Sequence, residues 1–389
     1  MKILHTSDWH LGHALYGYDR TEEQQAMLNQ IEGIIKNEQP DAMVLSGDVY
    51  HTSQPSAAVQ TMFTEAIVAM HQACPTMTIV VTAGNHDSGS KHEIFQTPWR
   101  ALNVFAIGNI DKENIDSHII EVPGKGWVVA VPYAYERTIP DGFFQQLLDR
   151  VSEKNTDNLP VVMMAHTTVE GCNFTGHDQI GERTVGGVDA VPHEYFGGGF
   201  DYLALGHIHH AQFIHNTEHR MRYSGTPLAV SFDEAYDHSV SIVEIDTHGA
   251  LPSVKEISID NPHPLVTLPT DTDATATWEE AKKLLEDFPS DNPAYIRLNV
   301  GVEDFLPAGA NEEANAIASG KQCRVCYINA KRPERERTQG EALTVQELQE
   351  IAPIEIARRY ISNLGVQFDD DMEAMFKEAL EAINQQDNK

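Results

Sequence analysis

The sequence predicts an α/β protein in which a pair of sheets is covered by helices. Two observations carry that expectation. The chain begins with strand-like and helix-like segments in the order β-α-β-α-β, and mostly strands follow. Short polar clusters rich in Asp and His end one apolar run after another, where sheets of this kind place their chemistry.

Lys2–His5 reads as a short buried strand, and "DWHLG" follows it at once. Thr21–Lys36 sets Met27, Ile31, Ile34 and Ile35 at helical spacing. "DAMVLSGD" is a second strand ending in a turn, and Pro55–Ala73 is a second helix with Pro55 near its start. "TMTIVVTAGNHD" is a third strand, again ending in polar residues. "GWVVAVPYA", "LPVVMMAHTT", "FDYLALGHIH" and "HSVSIVEID" continue the sheets, and "MRYSGTPLAVSFDE" reads as a strand, a turn and a further strand.

The character changes near Ile257, where "SIDNPHPLVTLPTDTDATAT" reads as a linker with one strand at Leu265–Leu268. A helix at Trp278–Phe288 and strands in "AYIRLNV" and "CRVCYINA" make a small α+β module. The tail differs again: Thr344 and Glu347 form a capping-box pattern, and Leu348, Ile351, Ile354 and Ile361 suit a helix bent at Pro353. Met372, Met375, Phe376, Ala379, Leu380 and Ile383 define a second apolar helical face. Spacing alone leaves two uses for this pair: packing on its own domain, or docking on a partner with Met and Phe as adaptable contacts. Three parts are expected: residues 1–256, 262–338 and 340–389.

The charge balance restricts function. Lys and Arg number 27 against 58 Asp and Glu, a formal net charge of -31 over 389 residues. Such a surface repels a nucleic-acid backbone at long range, so phosphate chemistry here needs concentrated local positive charge: metal ions, or a partner with a basic surface. Four cysteines, Cys74, Cys172, Cys323 and Cys326, are too few and too scattered for a disulfide scaffold. Cys323 and Cys326 have CxxC spacing, but in a strand they face opposite sides, which favours a plain strand over a redox or zinc site. The apolar run at the N-terminus is far too short for a signal peptide, and no stretch approaches the ~20 apolar residues of a membrane span. The protein is expected to be cytoplasmic and off the membrane.

The stretch "YLALGHIHHAQF" puts three histidines in four positions after an apolar run. On an extended backbone His207 and His209 point the same way and His210 the other. Similar clusters end other runs: Asp8 and His10 in "SDWHLG", Asp48 and His51 in "SGDVYH", Asn85, His86 and Asp87 in "GNHD", and His166 in "MMAHTT". One Asp-x-His is weak evidence, but five clusters at strand ends point to one convergent site. Carboxylate, imidazole and amide oxygen together suit Mn, Fe or Zn rather than a thiolate or all-oxygen site. There are enough of them for two ions, and an ion pair about 3.5–4 Å apart is suited to displacement at phosphorus.

Asp8-x-His10, Gly47-Asp48, Gly84-Asn85-His86-Asp87 and Gly206-His207-x-His209 resemble the calcineurin-like metallophosphoesterase superfamily over roughly Met1–Asp246. The resemblance implies a four-layered α/β-β/α sandwich with the metals at the sheet ends. "TSDWHLGHALYGYDR", "GHIHHAQ", "YSGTPLAVSFDE" and "KRPERER" before a helical tail look more narrowly like the SbcD family, nuclease subunits of bacterial SbcCD complexes. Many superfamily phosphatases have Gly-Asp-x-x-Asp; here His51 stands in the last position, as is common in these nucleases. His210 stands where SbcD members often have a basic residue, a departure that bears on one substrate contact.

By this resemblance, one ion is held by Asp8, His10, Asp48 and His209, and a second by Asp48, Asn85, His166 and His207, with Asp48 bridging. His86 faces the phosphate and stabilises or protonates the leaving oxygen, Asp87 orients His86, and His51 contacts substrate or supports the ligands. The resemblance further implies a Mn2+ preference, with Mg2+, Fe2+ or Zn2+ as alternatives. It implies an ATP-dependent 3′→5′ double-strand exonuclease and hairpin endonuclease acting in DNA repair and recombination. Its partner is an SbcC-type coiled-coil ATPase, with a homodimer inside a heterotetramer, a capping module that guides DNA, and tail helices docked on the ATPase. The helices near Thr21–Lys36 and Pro55–Ala73 are candidates for the dimer surface.

Other residues carry less. His5, His13, His177, His193, His215 and His219 read as surface or core histidines. Arg20 and Arg100 are either phosphate contacts or solvated and paired. Lys331, Arg332, Arg335 and Arg337, interrupted by Glu334 and Glu336, read as a salt-bridged surface. Two other functions stay open: a phosphomonoesterase or cyclic-nucleotide phosphodiesterase on the same fold, and a scaffold without catalysis. The extra module and tail weigh against the first, the complete set of motif residues against the second.

Overall fold

Alternate residues of the early strands serve two different cores, and that alternation builds the layers. In Lys2–Thr6 (β1), Ile3 joins a core between two sheets while Leu4 joins one beneath helices. In Ala42–Ser46 (β2), Ala42 and Val44 face inward, Met43 and Leu45 outward. The computed structural model describes residues 1–94, 96–175, 190–271 and 274–332, together with 372, 373 and 376. It divides into two compact units, Met1–Arg332 and Pro333–Lys389.

Thr78–Thr82 (β3) and Val104–Ile107 (β4) extend β1 and β2 as a parallel sheet. The helices Thr21–Glu38 (α1), Ala57–Ala73 (α2), Gly89–Glu93 (α3) and Gln96–Arg100 (α4) connect these strands. Buried Met27, Leu28, Ile31 and Ile35 form the core face of α1, which ends where Gln39 turns left-handed at φ 46°. Ser56 caps α2 by accepting from the Val59 N–H.

The second sheet comes from Ile119–Val122 (β5), Gly126–Ala130 (β6), Val161–His166 (β7), Tyr202–Gly206 (β8), Gln212–Phe213 (β9) and Met221–Tyr223 (β10), with helix Phe143–Lys154 (α5) between β6 and β7. Its strand order is β5-β6-β7-β8-β10-β9. Ser239–Glu244 (β11) and Ser253–Ser258 (β12) then return to the first sheet, giving β12-β11-β1-β2-β3-β4. Three cores follow. One lies under α1 and α2, one between the sheets, and one around Phe143, Phe144, Leu147, Leu148 and Val151 of α5. This is the four-layered sandwich that the sequence predicts.

The small module is a three-stranded parallel sheet of Leu265–Leu268 (β13), Tyr295–Gly301 (β14) and Arg324–Lys331 (β15), with helices Trp278–Asp287 (α6) and Ala310–Ala318 (α7). A capping box between Thr277 and Glu280 starts α6. Cys323 packs in this module's core while Cys326 packs by Tyr295 on another cluster, and both thiols are free, as a plain strand requires.

The strand expected at the end of "MRYSGTPLAVSFDE" does not form. There the Val230 N–H donates to the Glu234 carboxylate instead of to a neighbouring strand, so the segment is an irregular loop. Of the tail expected over 340–389, Met372, Glu373 and Phe376 are helical and the rest lies outside the described residues. Glu334, Arg335, Glu336, Arg337 and His177 also lie outside them. No helix among the described residues is long and apolar enough to cross a membrane.

Candidate metal centre

Five strands deliver the polar clusters to one place. Asp8 and His10 follow β1, Asp48 follows β2, Asn85 and His86 follow β3, His166 ends β7, and His207 and His209 follow β8. The loops after β1 and β2 are stitched in parallel: the Asp8 N–H donates to Gly47 O (3.0 Å), His10 to Asp48 O (3.1 Å) and Leu11 to Val49 O (2.9 Å). The two sheets are tied at the same end by Ser46, whose hydroxyl donates to Ala204 O at 2.9 Å. Close approach here demands glycine at positions 47, 84 and 206. A Cβ on Gly84 would collide with the Asp48 carboxylate, and one on Gly47 with the His166 ring. Asp8, His10, Asp48 and His207 all have positive φ, between 44° and 98°. Backbone held that way by its surroundings is common where geometry serves function.

Asp48 lies at the centre. Its Oδ1 accepts the His86 N–H at 2.9 Å, which leaves Oδ2 facing His166 Nε2 at 3.4 Å, His10 Nε2 at 3.9 Å and His86 Nε2 at 4.0 Å. On one side His10 Nε2 and His209 Nε2 stand 3.1 Å apart, near Asp8. On the other side Asn85 Oδ1 lies 2.9 Å from His166 Nε2 and 3.1 Å from His207 Nδ1. All the motif residues predicted as ligands therefore fall in two adjoining groups.

Outer hydrogen bonds set which ring nitrogen faces inward. His166 donates its Nδ1–H to Ser46 O (2.8 Å), and His209 Nδ1 meets the Glu234 carboxylate at 3.0 Å. Each ring then turns its Nε2 into the site. The His207 N–H donates to both oxygens of Asp8, and the Ser7 hydroxyl donates to Asp8 Oδ2.

Three relatives fix the family. The SbcD component of the nuclease SbcCD from Bacillus subtilis is 33% identical over 331 residues, covering 79% of this chain and 80% of the relative. Its counterpart of the same name from Rhodobacter capsulatus is 31% identical over 299 residues, covering 69% and 72%. That from Escherichia coli is 28% identical over 365 residues, covering 87% of each. Residues 1–211 match the calcineurin-like phosphoesterase family. The chain belongs to the SbcD family of calcineurin-like phosphoesterases. It is a metal-dependent phosphoesterase of the SbcCD nuclease type.

The donor set fits a dinuclear metal site. Lone pairs and carboxylates converge with little exposure, an arrangement that repels itself unless cations separate its members. Titration in the metal-free protein reflects the same excess of negative charge. Burial pulls the His166 pKa down, but the Asp48 and Asp8 carboxylates outweigh it and raise it to about 10. Burial raises the Asp8 carboxyl. His10, buried and then opposed by His209, His86, His51 and His13, is driven well below the usual histidine range.

Two expectations change, those for Asp87 and His13. Asp87 does not orient His86: its buried carboxylate accepts the N–H groups of Gly84, Val49 and Tyr50 and faces His92 at 3.4 Å. It shapes the loop because three converging amides bind an anion more firmly than one distant ring would. The His86 ring is held by His51, whose carbonyl accepts the Nδ1–H at 3.0 Å. Of the two roles left open for Arg20, the structure shows the paired one: it is buried and donates to Ala229 O.

His13 joins the site after all. Its ring packs edge-on against His51 at 4.6 Å and lines the same cavity as His10, His86 and His209. The bend at Gly12, φ 85°, turns the chain back, so distance along the sequence misleads. Glu234 carries no spacing signal of its own; only the fold brings it to His209. His210 stacks on Tyr236 at 4.3 Å.

Proposed function

We propose that this chain is the nuclease subunit of an SbcCD-type complex, an ATP-dependent 3′→5′ exonuclease on duplex DNA and an endonuclease at hairpins. The reading is supported above all by the meeting of Asp8, His10, Asp48, Asn85, His166, His207 and His209 around the Asp48 carboxylate, with His86 beside them. Asp8, His10, Asp48 and His209 would hold one divalent ion and Asp48, Asn85, His166 and His207 the other. Mn2+ is our assignment, and Mg2+, Fe2+ or Zn2+ are accepted by the same ligand types. When bound, such a pair supplies Lewis acidity and makes hydroxide accessible near neutral pH.

The chain's own residues supply orientation and a proton. The His51 carbonyl holds His86 Nδ1–H, so His86 Nε2 faces the reacting phosphate and, when protonated, hands its proton to the leaving oxygen. His51 stacks beside that ring, with His13 packed on His51 in turn, and the pair limits its rotation.

Residues 262–338 act as a cap that guides DNA, and 340–389 dock on a coiled-coil ATPase of the SbcC type. Two copies form the homodimer of a heterotetramer that serves DNA repair, recombination and replication in the cytoplasm. With a net charge of -31, the chain relies on its partner and its metals for affinity to DNA. Purified protein with Mn2+ is expected to degrade linear duplex DNA. Hydrolysis of p-nitrophenyl phosphate with DNA left intact, even with the ATPase present, would instead make it a small-substrate phosphatase.

A further inference from the structure

Tyr16 occupies a position that local sterics disfavour. Leu15 and Tyr18 exchange both backbone hydrogen bonds, at 3.0 and 2.9 Å, around a two-residue turn of Tyr16 and Gly17. Both turn residues have positive φ, 50° and 86°. Turns of this hand favour Asn, Asp or Gly at the first position, and a bulky side chain there costs free energy. The ring so placed stacks on Tyr327 of β15, centroids 4.5 Å apart and planes 23° from parallel, with Phe232 at 6.0 Å. Arg297 holds the backing ring, since its Nη1 reaches the Tyr327 hydroxyl at 3.4 Å and pairs with Asp233 at 2.7 Å. Tyr16 nevertheless stays 49% exposed.

The same ring lines the cavity of about 330 Å³ that contains His10, His86 and His209. No Lys or Arg lines it among the described residues. A flat, uncharged surface beside an anionic reaction centre suits a nucleobase, because stacking needs no cation and tolerates any base. We infer that Tyr16, backed by Tyr327, is a stacking platform for the nucleobase next to the scissile phosphate. This rests on the nuclease reading above and names the part of the substrate that the exposed edge of the site holds.

The test compares a duplex of natural nucleotides with the same duplex carrying abasic residues beside the scissile linkage, using the full chain in Mn2+. Tyr16→Asn suits the turn and removes the ring; Tyr16→Gly serves if the Asn variant does not fold. On natural DNA either variant is expected to lose about tenfold in kcat/KM, the weight of one stacked base. On abasic DNA the variants should match the wild type, and Tyr16→Trp should retain activity on both. Equal losses on the two substrates would mean that Tyr16 acts only through the fold, and undiminished cleavage of natural DNA would mean no contact; either overturns the platform while leaving the nuclease reading intact. Wild-type protein that hydrolyses p-nitrophenyl phosphate but no DNA overturns the nuclease reading and the platform with it.

Discussion

His209 Nδ1 lies 3.0 Å from the Glu234 carboxylate, with both side chains buried, and Glu234 uses its other oxygen to accept the Val230 N–H. One carboxylate thus fixes a metal-facing ring and the loop that carries Val230 along the cavity wall. Glu234→Gln keeps the shape but removes the charge that stabilises the ring's orientation. The affinity for Mn2+ should fall by roughly 10–100-fold, the usual cost of losing such a partner. Calorimetric titration reads it directly. An unchanged affinity would reduce Glu234 to a loop brace.

His86 should behave differently. It sits 4.0 Å from Asp48 Oδ2, and its Nδ1–H is committed to the His51 carbonyl. His86→Ala is expected to bind metal with near wild-type affinity while cleavage falls by roughly 10²–10⁴-fold, the range for a positioned acid or base. Loss of metal in this variant would move His86 from proton donor to ligand.

Much of this is legible in the sequence because the metal-site motifs are local: each lies within a few residues of an apolar strand whose alternation is plain. Asp8, His10, Asp48, Asn85, His166, His207 and His209 are readable for that reason. Glu234 and Tyr16 are not, since their roles come from contacts across the fold: Glu234 to His209 over 25 residues, Tyr16 to Tyr327 over more than three hundred. His13 escapes a local reading because a left-handed glycine reverses the chain before it. In the fold, α5 goes unassigned although Phe143, Phe144, Leu147, Leu148 and Val151 carry helical spacing, because the continuous apolar runs of the strands on either side give the stronger signal. The loop after β10 looks like a strand because nothing in "PLAVSF" signals that a carboxylate will take its backbone donor.

His5 gives a pH dependence that is independent of metal. It is fully buried against the Tyr202 hydroxyl at 2.9 Å, and burial, reinforced by Arg222, lowers its pKa to about 3. The unfolded chain titrates near ~6.5. Between those values the unfolded state binds a proton that the folded state refuses, so this contribution is fully present above pH ~6.5 and is lost as pH falls towards 3. At pH 5 the loss is about 2 kcal/mol. Urea unfolding of the wild type and His5→Gln at pH 7 and pH 5 should show a smaller acid-induced drop in the variant. Parallel drops would mean that His5 does not govern this part of the acid response.

Metal binding should itself depend on pH through His166. In the metal-free protein the carboxylates of Asp48 and Asp8 overcome burial and hold the His166 pKa at about 10, so the ring carries a proton at neutral pH. A ligand must present a lone pair, so that proton has to leave when an ion binds. Between pH ~6 and ~9 the apparent affinity should therefore rise about tenfold per pH unit from this group alone. Calorimetry in buffers of different ionisation enthalpy should count about one proton released per chain at pH 7.5 as the ion held by His166 binds. His166→Gln should weaken binding and remove that release. An affinity that levels off above pH 7, with no proton released, would show that the two carboxylates leave His166 neutral and that their charge is balanced elsewhere.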